Sequence, residues 1–129
     1  MKPGFLPGIT REVQVVVTEE MCPAFNGVVV HRVCSTWSMA HLMEVAARKV
    51  LVDFLEPHEE GIGGHISVDH VAPIRVDKLL TVRATLTEIR HSHVWCDVAA
   101  YDGERLLAKG RQLQIVLPRQ KLAEILERA

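Results

Sequence analysis

Thr36, Glu44 and His70 are the residues of this chain best suited to chemistry, and each also has an ordinary structural use. Glu44 stands among Leu42, Met43, Val45, Ala46 and Ala47 in the apolar run "STWSMAHLMEVAARKVLVDFLEP". At helical spacing it can pair with Arg48 on a solvated stripe that also takes in His41 and Asp53. Held in a partly dry cleft instead, its carboxylate is available to catalysis. His70 closes "ISVDH", where Ile66, Val68 and His70 share one face of an extended segment and Ser67 and Asp69 the other. It therefore points the same way as two apolar residues, either as a hydrogen-bonded core histidine or as a general base. Thr36 lies at the helix start, where Ser35, Thr36 or Ser38 can serve as N-cap.

Thr36 precedes Glu44 by eight residues, a rise of about 12 Å in one straight helix. The two side chains cannot meet in that geometry. Either the chain bends near Ser38, or a shared site draws groups from two subunits. Gly63 and Gly64, in "GIGG", are a flexible turn or a place where a ligand approaches the backbone, with an N–H aimed at a developing oxyanion. His91 and His93 flank Ser92 without an evident third ligand and read as a solvated turn. No metal or cofactor is expected. G-x-S-x-G, a phosphate loop and C-x-x-C are all missing.

The elements that must position these residues follow from periodicity. "EVQVVV" places Val13, Val15 and Val17 at period two, a strand. "VVVHRV" reads as a second extended piece. The helix then runs from Ser35 to about Leu55, with Pro57 beyond its end. "PHEEGIGG" reads as a loop, and His65 to Ile74 as a strand in which Pro73 marks a bulge or an edge. Leu80, Val82, Ala84 and Leu86 alternate with Thr81, Arg83, Thr85 and Thr87. Val94, Cys96, Val98 and Ala100 alternate with His93, Trp95, Asp97 and Ala99. Asp102-Gly103 reads as a type I′ hairpin turn, "RLLAKGRQLQIVL" as the last strand and "RQKLAEILERA" as an amphipathic tail helix.

One long apolar helix followed by strands on tight turns implies an α+β protein with a curved antiparallel sheet wrapped around that helix, the hotdog architecture. Such a sheet leaves an edge strand, and pairing edges between copies removes that liability, so a homodimer or a dimer of dimers is expected. The 129 residues fit a single domain, 1–129, able to bury a core unaided. Fifteen basic and sixteen acidic side chains leave a net charge of -1, which gives no electrostatic case for nucleic acid. Cys22, Cys34 and Cys96, odd in number and widely spaced, suggest reduced thiols and a cytoplasmic protein. No run approaches the roughly 20 apolar residues of a membrane span.

The run from "STWSMAHLMEVAARKV" through "GIGGHISVDHVAPI" to "AYDGERLLAKGRQLQIV" resembles the fluoroacetyl-CoA thioesterase-like family of hotdog proteins, from about Val13 to the tail helix. That family carries a threonine, a glutamate eight residues later and a histidine twenty-six residues after that. Thr36, Glu44 and His70 stand at those spacings, and the family's substrate-contacting glycine falls on Gly63. The resemblance implies hydrolysis of an acyl-CoA to a carboxylic acid and free CoA. It makes His70 a general base on water or on Thr36, and Thr36 a nucleophile or water-orienting group. Glu44 then orients His70 or attacks the thioester itself. The helix N-terminus and the Gly63 region would stabilise the oxyanion. The phenylalanines that precede the threonine in the fluoroacetate-specific pattern are missing from "NGVVVHRVC", so the resemblance implies a reaction class and not an acyl group. Arg75, Lys78, Arg90 and Arg111 are candidate contacts for the CoA phosphates.

Overall fold

The period-two segments pair into one antiparallel sheet. In the computed structural model, which describes residues 1–129, β1 (Thr10–Val16) precedes a 3-10 turn at Glu19–Met21 and a short hairpin of β2 (Ala24–Phe25) and β3 (Val28–Val29). Then come α1 (Thr36–Val52), β4 (Glu59–Ile66), β5 (Asp69–His70), β6 (Leu79–Arg90), β7 (His93–Asp102), β8 (Arg105–Pro118) and α2 (Arg119–Glu127). The sheet order is β1-β6-β7-β8-β4, and β5 also pairs with β8. The sheet curls around α1, giving the α+β hotdog architecture.

The core lies where the helix meets the inner face of the sheet. Leu80, Val82, Ala84 and Leu86 of β6 and Val94, Cys96, Val98 and Ala100 of β7 are buried, while Arg83, Thr87, His93 and Asp97 between them are exposed. The helix presents Met39, Met43, Ala46, Ala47, Val50 and Leu51 to this face, a buried stripe at helical spacing. Truncating Met43 to alanine would leave a cavity and cost about 2–5 kcal/mol. The sheet does not wrap the helix on all sides, although its composition suggests it. A second stripe, Trp37, His41, Glu44 and Arg48, lies away from the core beside β4, and Trp37 is 82% exposed. Since β4 is an edge strand, that stripe borders an unpaired sheet edge.

Two turns differ from the reading of the sequence. Asn26 and Gly27, between β2 and β3, both have positive φ (53° and 78°), as a type I′ turn requires. At the β7–β8 turn Asp102 pairs with Arg105, so the loop residues are Gly103 and Glu104 and only Gly103 has positive φ. A glycine at the first central position alone is the type II′ pattern.

The largest departure is β4. "PHEEGIGG" is not a loop, because Glu59–Ile66 form a strand antiparallel to β8, with a bulge between Gly63 and His65. None of Gly61, Gly63 and Gly64 has positive φ, so turn geometry does not explain them. Space does. A Cβ at Gly61 would sit 2.6 Å from Cδ2 of buried Leu51, and one at Gly63 would sit 2.9 Å from Oε1 of Glu44. These glycines let α1 lie close on the strand. The strand read from His65 to Ile74 is interrupted after Ile66, where the chain crosses so near Gly110 that a Cβ there would lie 1.7 Å from the Ser67 carbonyl oxygen.

Candidate active site

Ser35 is the N-cap of α1: its hydroxyl accepts from the Ser38 N–H at 2.9 Å. Thr36 is therefore the first helical residue, and its hydroxyl is released from capping. β5 runs antiparallel to β8, with His70 opposite Ala108, and brings the imidazole to the start of α1. There Thr36 Oγ1 and His70 Nδ1 are 2.8 Å apart, a direct hydrogen bond between residues 34 positions apart in sequence. His70 Nε2 is enclosed by the fold and has no partner. For His70 to act as a base on this hydroxyl, its lone pair must lie on Nδ1 and the ring hydrogen on Nε2. The backbone N–H groups of Thr36 and Trp37 have no acceptor in the chain and lie beside that hydroxyl, where they can donate to a developing oxyanion.

Glu44 does not join this pair. The helix is unbroken from Thr36 to Val52, so the bend considered at Ser38 is not there, and eight residues of helix keep the two apart by about 12 Å. Nor does Glu44 pair with Arg48, whose guanidinium reaches Glu60 on β4 at 2.7 Å instead. The Glu44 carboxylate is exposed and lies over Gly63, in an open groove of about 400 Å³ lined by residues of α1 and β4 together with Gln114. His41 lines both this groove and a smaller hollow of about 230 Å³ beside Trp37 and Ser38. The two hollows thus adjoin along the second stripe of α1. Gly64 faces the other way: a Cβ there would meet Ile115 at 2.9 Å and Leu113 at 3.1 Å.

Two features escaped the reading of the sequence. Gln112 of β8 is fully buried on the helix side, its Nε2 lies 3.8 Å from the same Cβ position at Gly63, and neither of its amide atoms has a partner. The signal was present in "RQLQIV", where two glutamines at period two share a face with Val116. The exposed apolar group of Phe25, Val28 and Val30 belongs to the β2–β3 hairpin and its exit, and Phe25 directly precedes the segment that lacks phenylalanine.

Other groups are unsuited to the chemistry or lie elsewhere. Burial, with Cys22 nearby, pushes the Cys34 thiol up to about 11, and burial beside Asp97 pushes Cys96 up to about 12. Both remain protonated near neutral pH, and a thiol is a poor nucleophile. All three cysteines are free and buried. Among the candidate phosphate contacts, Lys78 is engaged by Asp102, Arg90 by Glu88 and Arg111 by Asp97, whereas Arg75 forms no ion pair and bridges Val33, three residues before Thr36. A hollow of about 700 Å³ on the outer face of the sheet includes Asp69, Arg83, Asp97 and Arg111 but none of Thr36, Glu44, Gly63 or His70. No helix is long and apolar enough to cross a membrane.

Comparison with known proteins agrees with this geometry at the level of family and fold. A family model described as fluoroacetyl-CoA-specific thioesterase matches residues 17–120. No curated protein matches the sequence. Among solved structures, a hypothetical protein of Thermus thermophilus, described as a thioesterase superfamily member, is 33% identical over 99% of this chain and 94% of its own, with a TM-score of 0.93. A phenylalanine-to-alanine mutant of the fluoroacetyl-CoA-specific thioesterase FlK is 24% identical over 99% of this chain and 100% of its own, with a TM-score of 0.87. A hot-dog-like protein from Thermanaerovibrio acidaminovorans is 20% identical over 98% and 93%, with a TM-score of 0.85. The last two likenesses speak to fold alone.

Proposed function

The chain belongs to the fluoroacetyl-CoA-specific thioesterase family, and from that premise we propose that it hydrolyses a small acyl-CoA thioester to a carboxylate and free CoA. The observation that carries the proposal is the 2.8 Å hydrogen bond between Thr36 Oγ1 and His70 Nδ1, which puts a hydroxyl and a base in proton-transfer range. In this reading His70 Nδ1 takes the Thr36 proton as Oγ1 attacks the thioester carbonyl. The oxyanion is held by the free N–H groups at the start of α1. The C–S bond then breaks, the CoA sulfur takes the proton from His70, and an acyl ester remains on Thr36. Water, deprotonated by the same nitrogen, releases the acid and returns the proton to Thr36. Arg75, unpaired and near Thr36, is the candidate contact for a CoA phosphate.

Glu44 enters from a second copy of the chain. It is about 12 Å from Thr36 along an unbroken helix, so one subunit cannot supply both groups to one reacting centre. The stripe that carries Glu44 also carries Trp37 and borders the open edge of β4, where Ile62 is 38% exposed. An isologous two-fold contact through this edge sets the Thr36 end of one helix towards the Glu44 region of the other. Glu44 then orders the water of the second step. Gly63, beneath Glu44, lets the acyl chain and the backbone approach.

A thiol-release assay over short, branched, aromatic and halogenated acyl-CoAs, run beside Thr36→Ala, Glu44→Ala and His70→Ala, tests the reading. Turnover lost in the variants supports it. Tight binding of an ester without turnover by folded protein would replace it with a non-catalytic acyl-CoA-binding function.

A further inference from the structure

We propose that Gln112 is a positioning residue for Glu44, its side-chain amide donating from inside the sheet to the carboxylate that lies over Gly63. The inference rests on the reading that Glu44 serves the thioester site. β8 alternates so that Gln112, Gln114 and Val116 face α1, where Gln112 and Gln114 lie opposite the buried Cys96 and Val94 of β7. Gln112 has no exposure, and neither Nε2 nor Oε1 has a hydrogen-bond partner. Burying an amide without a partner is costly, and a leucine of similar volume would fill the space without that cost. A glutamine kept at such a place needs an acceptor that arrives from elsewhere.

Gly63 shows which acceptor. The volume that a side chain would fill there is bounded by Glu44 Oε1 at 2.9 Å from the Cβ position and by Gln112 Nε2 at 3.8 Å from the same position. The carboxylate comes from the helix and the amide from the sheet, and both close on space that only glycine leaves empty. Glu44 is exposed and has no ion pair, since Arg48 is taken by Glu60, so its side chain is free to rotate onto the amide. An N–H donated to a carboxylate is among the stronger hydrogen bonds. Its effect is to fix one oxygen of Glu44 and leave the other for water or substrate.

Gln112→Leu separates this role from packing. Kinetics on the full chain, with the best ester of the acyl-CoA panel, should show kcat down about 10- to 100-fold, KM little changed and Tm not lowered. Glu44→Gln with Gln112→Leu should be no slower than Glu44→Gln alone, because the amide acts only through the carboxylate. A readout free of turnover accompanies this: the Gln112 side-chain amide resonances, assigned by their loss in Gln112→Leu, should shift in Glu44→Gln while those of distant Gln14 stay put. Unmoved Gln112 resonances, or a double variant slowed by the product of the single effects, would overturn the inference. If Glu44→Gln keeps wild-type kcat while the resonances still move, the contact stands and it is the catalytic reading of Glu44 that fails.

Discussion

The two ends of the outward stripe of α1 are built differently. At its start, Thr36 and His70 are joined within one chain by a short hydrogen bond, with Ser35 taking the capping duty that would otherwise occupy a hydroxyl. Two turns further on, Glu44 has no partner and Gln112 beneath it is buried with both amide atoms unsatisfied. At the first end folding itself makes the hydroxyl–imidazole contact, though His70 Nε2 is enclosed without a partner. In the proposed mechanism, folding alone prepares the base and the hydroxyl, and a second copy of the chain supplies the carboxylate.

The largest effect expected from breaking this contrast is at the first end. His70→Ala should lower kcat at least about a hundredfold in the thiol-release assay, since it removes the base and leaves Thr36 without an acceptor. A wild-type rate in a folded variant would remove His70 from the mechanism. Next come two glycines on one face of β4. Gly63→Ala drives a Cβ against the mobile tip of Glu44, so kcat should fall about tenfold with Tm unchanged. Gly61→Ala drives one against buried Leu51, so the fold should lose about 1–3 kcal/mol in denaturant titrations while the folded fraction keeps its rate. The reverse assignment would show that β4 supports the site at Gly61 and merely packs at Gly63.

Smaller effects follow at the scaffold. Ser35→Ala removes the cap of α1 and should cost about 1 kcal/mol, read as a lower denaturation midpoint. Smallest is a pH effect beside the groove. The Gly61 N–H, then Arg48 and Arg119, hold the Glu60 carboxyl below the usual carboxylate range. Its folded pKa is depressed, so its stabilising share is present above the unfolded value and is lost as pH falls through the folded one. Glu60→Gln should therefore flatten the fall of Tm between about pH 5 and pH 3 and leave Tm at higher pH slightly lower.

Much of the scaffold was legible in the sequence, because β6 and β7 alternate cleanly and the inner set is buried as the pattern requires. The helix was legible too, from its length without glycine or proline. What misled was glycine. In "EEGIGGHI" three glycines suggest a turn, yet they answer the approach of a helix and a bulge, which depend on a partner element far away in sequence. "FNGV" is the converse, since Asn26-Gly27 forms the type I′ turn that the sequence pattern places at Asp102-Gly103. At the candidate site, the family resemblance singled out Thr36 and His70 but not their contact, which β5 creates by pairing with β8. Gln112 went unseen because a polar residue in a strand is assumed to face water until the register is known.

The central claim is that Glu44 of one subunit completes the Thr36–His70 pair of the other. Mixing inactive His70→Ala with inactive Glu44→Ala tests it most directly. A shared site predicts that activity returns on subunit exchange, since each hybrid dimer then holds one site with both wild-type groups. Hybrids that form, verified by mass, but stay as inactive as the parents would contradict it and place the whole reacting centre within one chain.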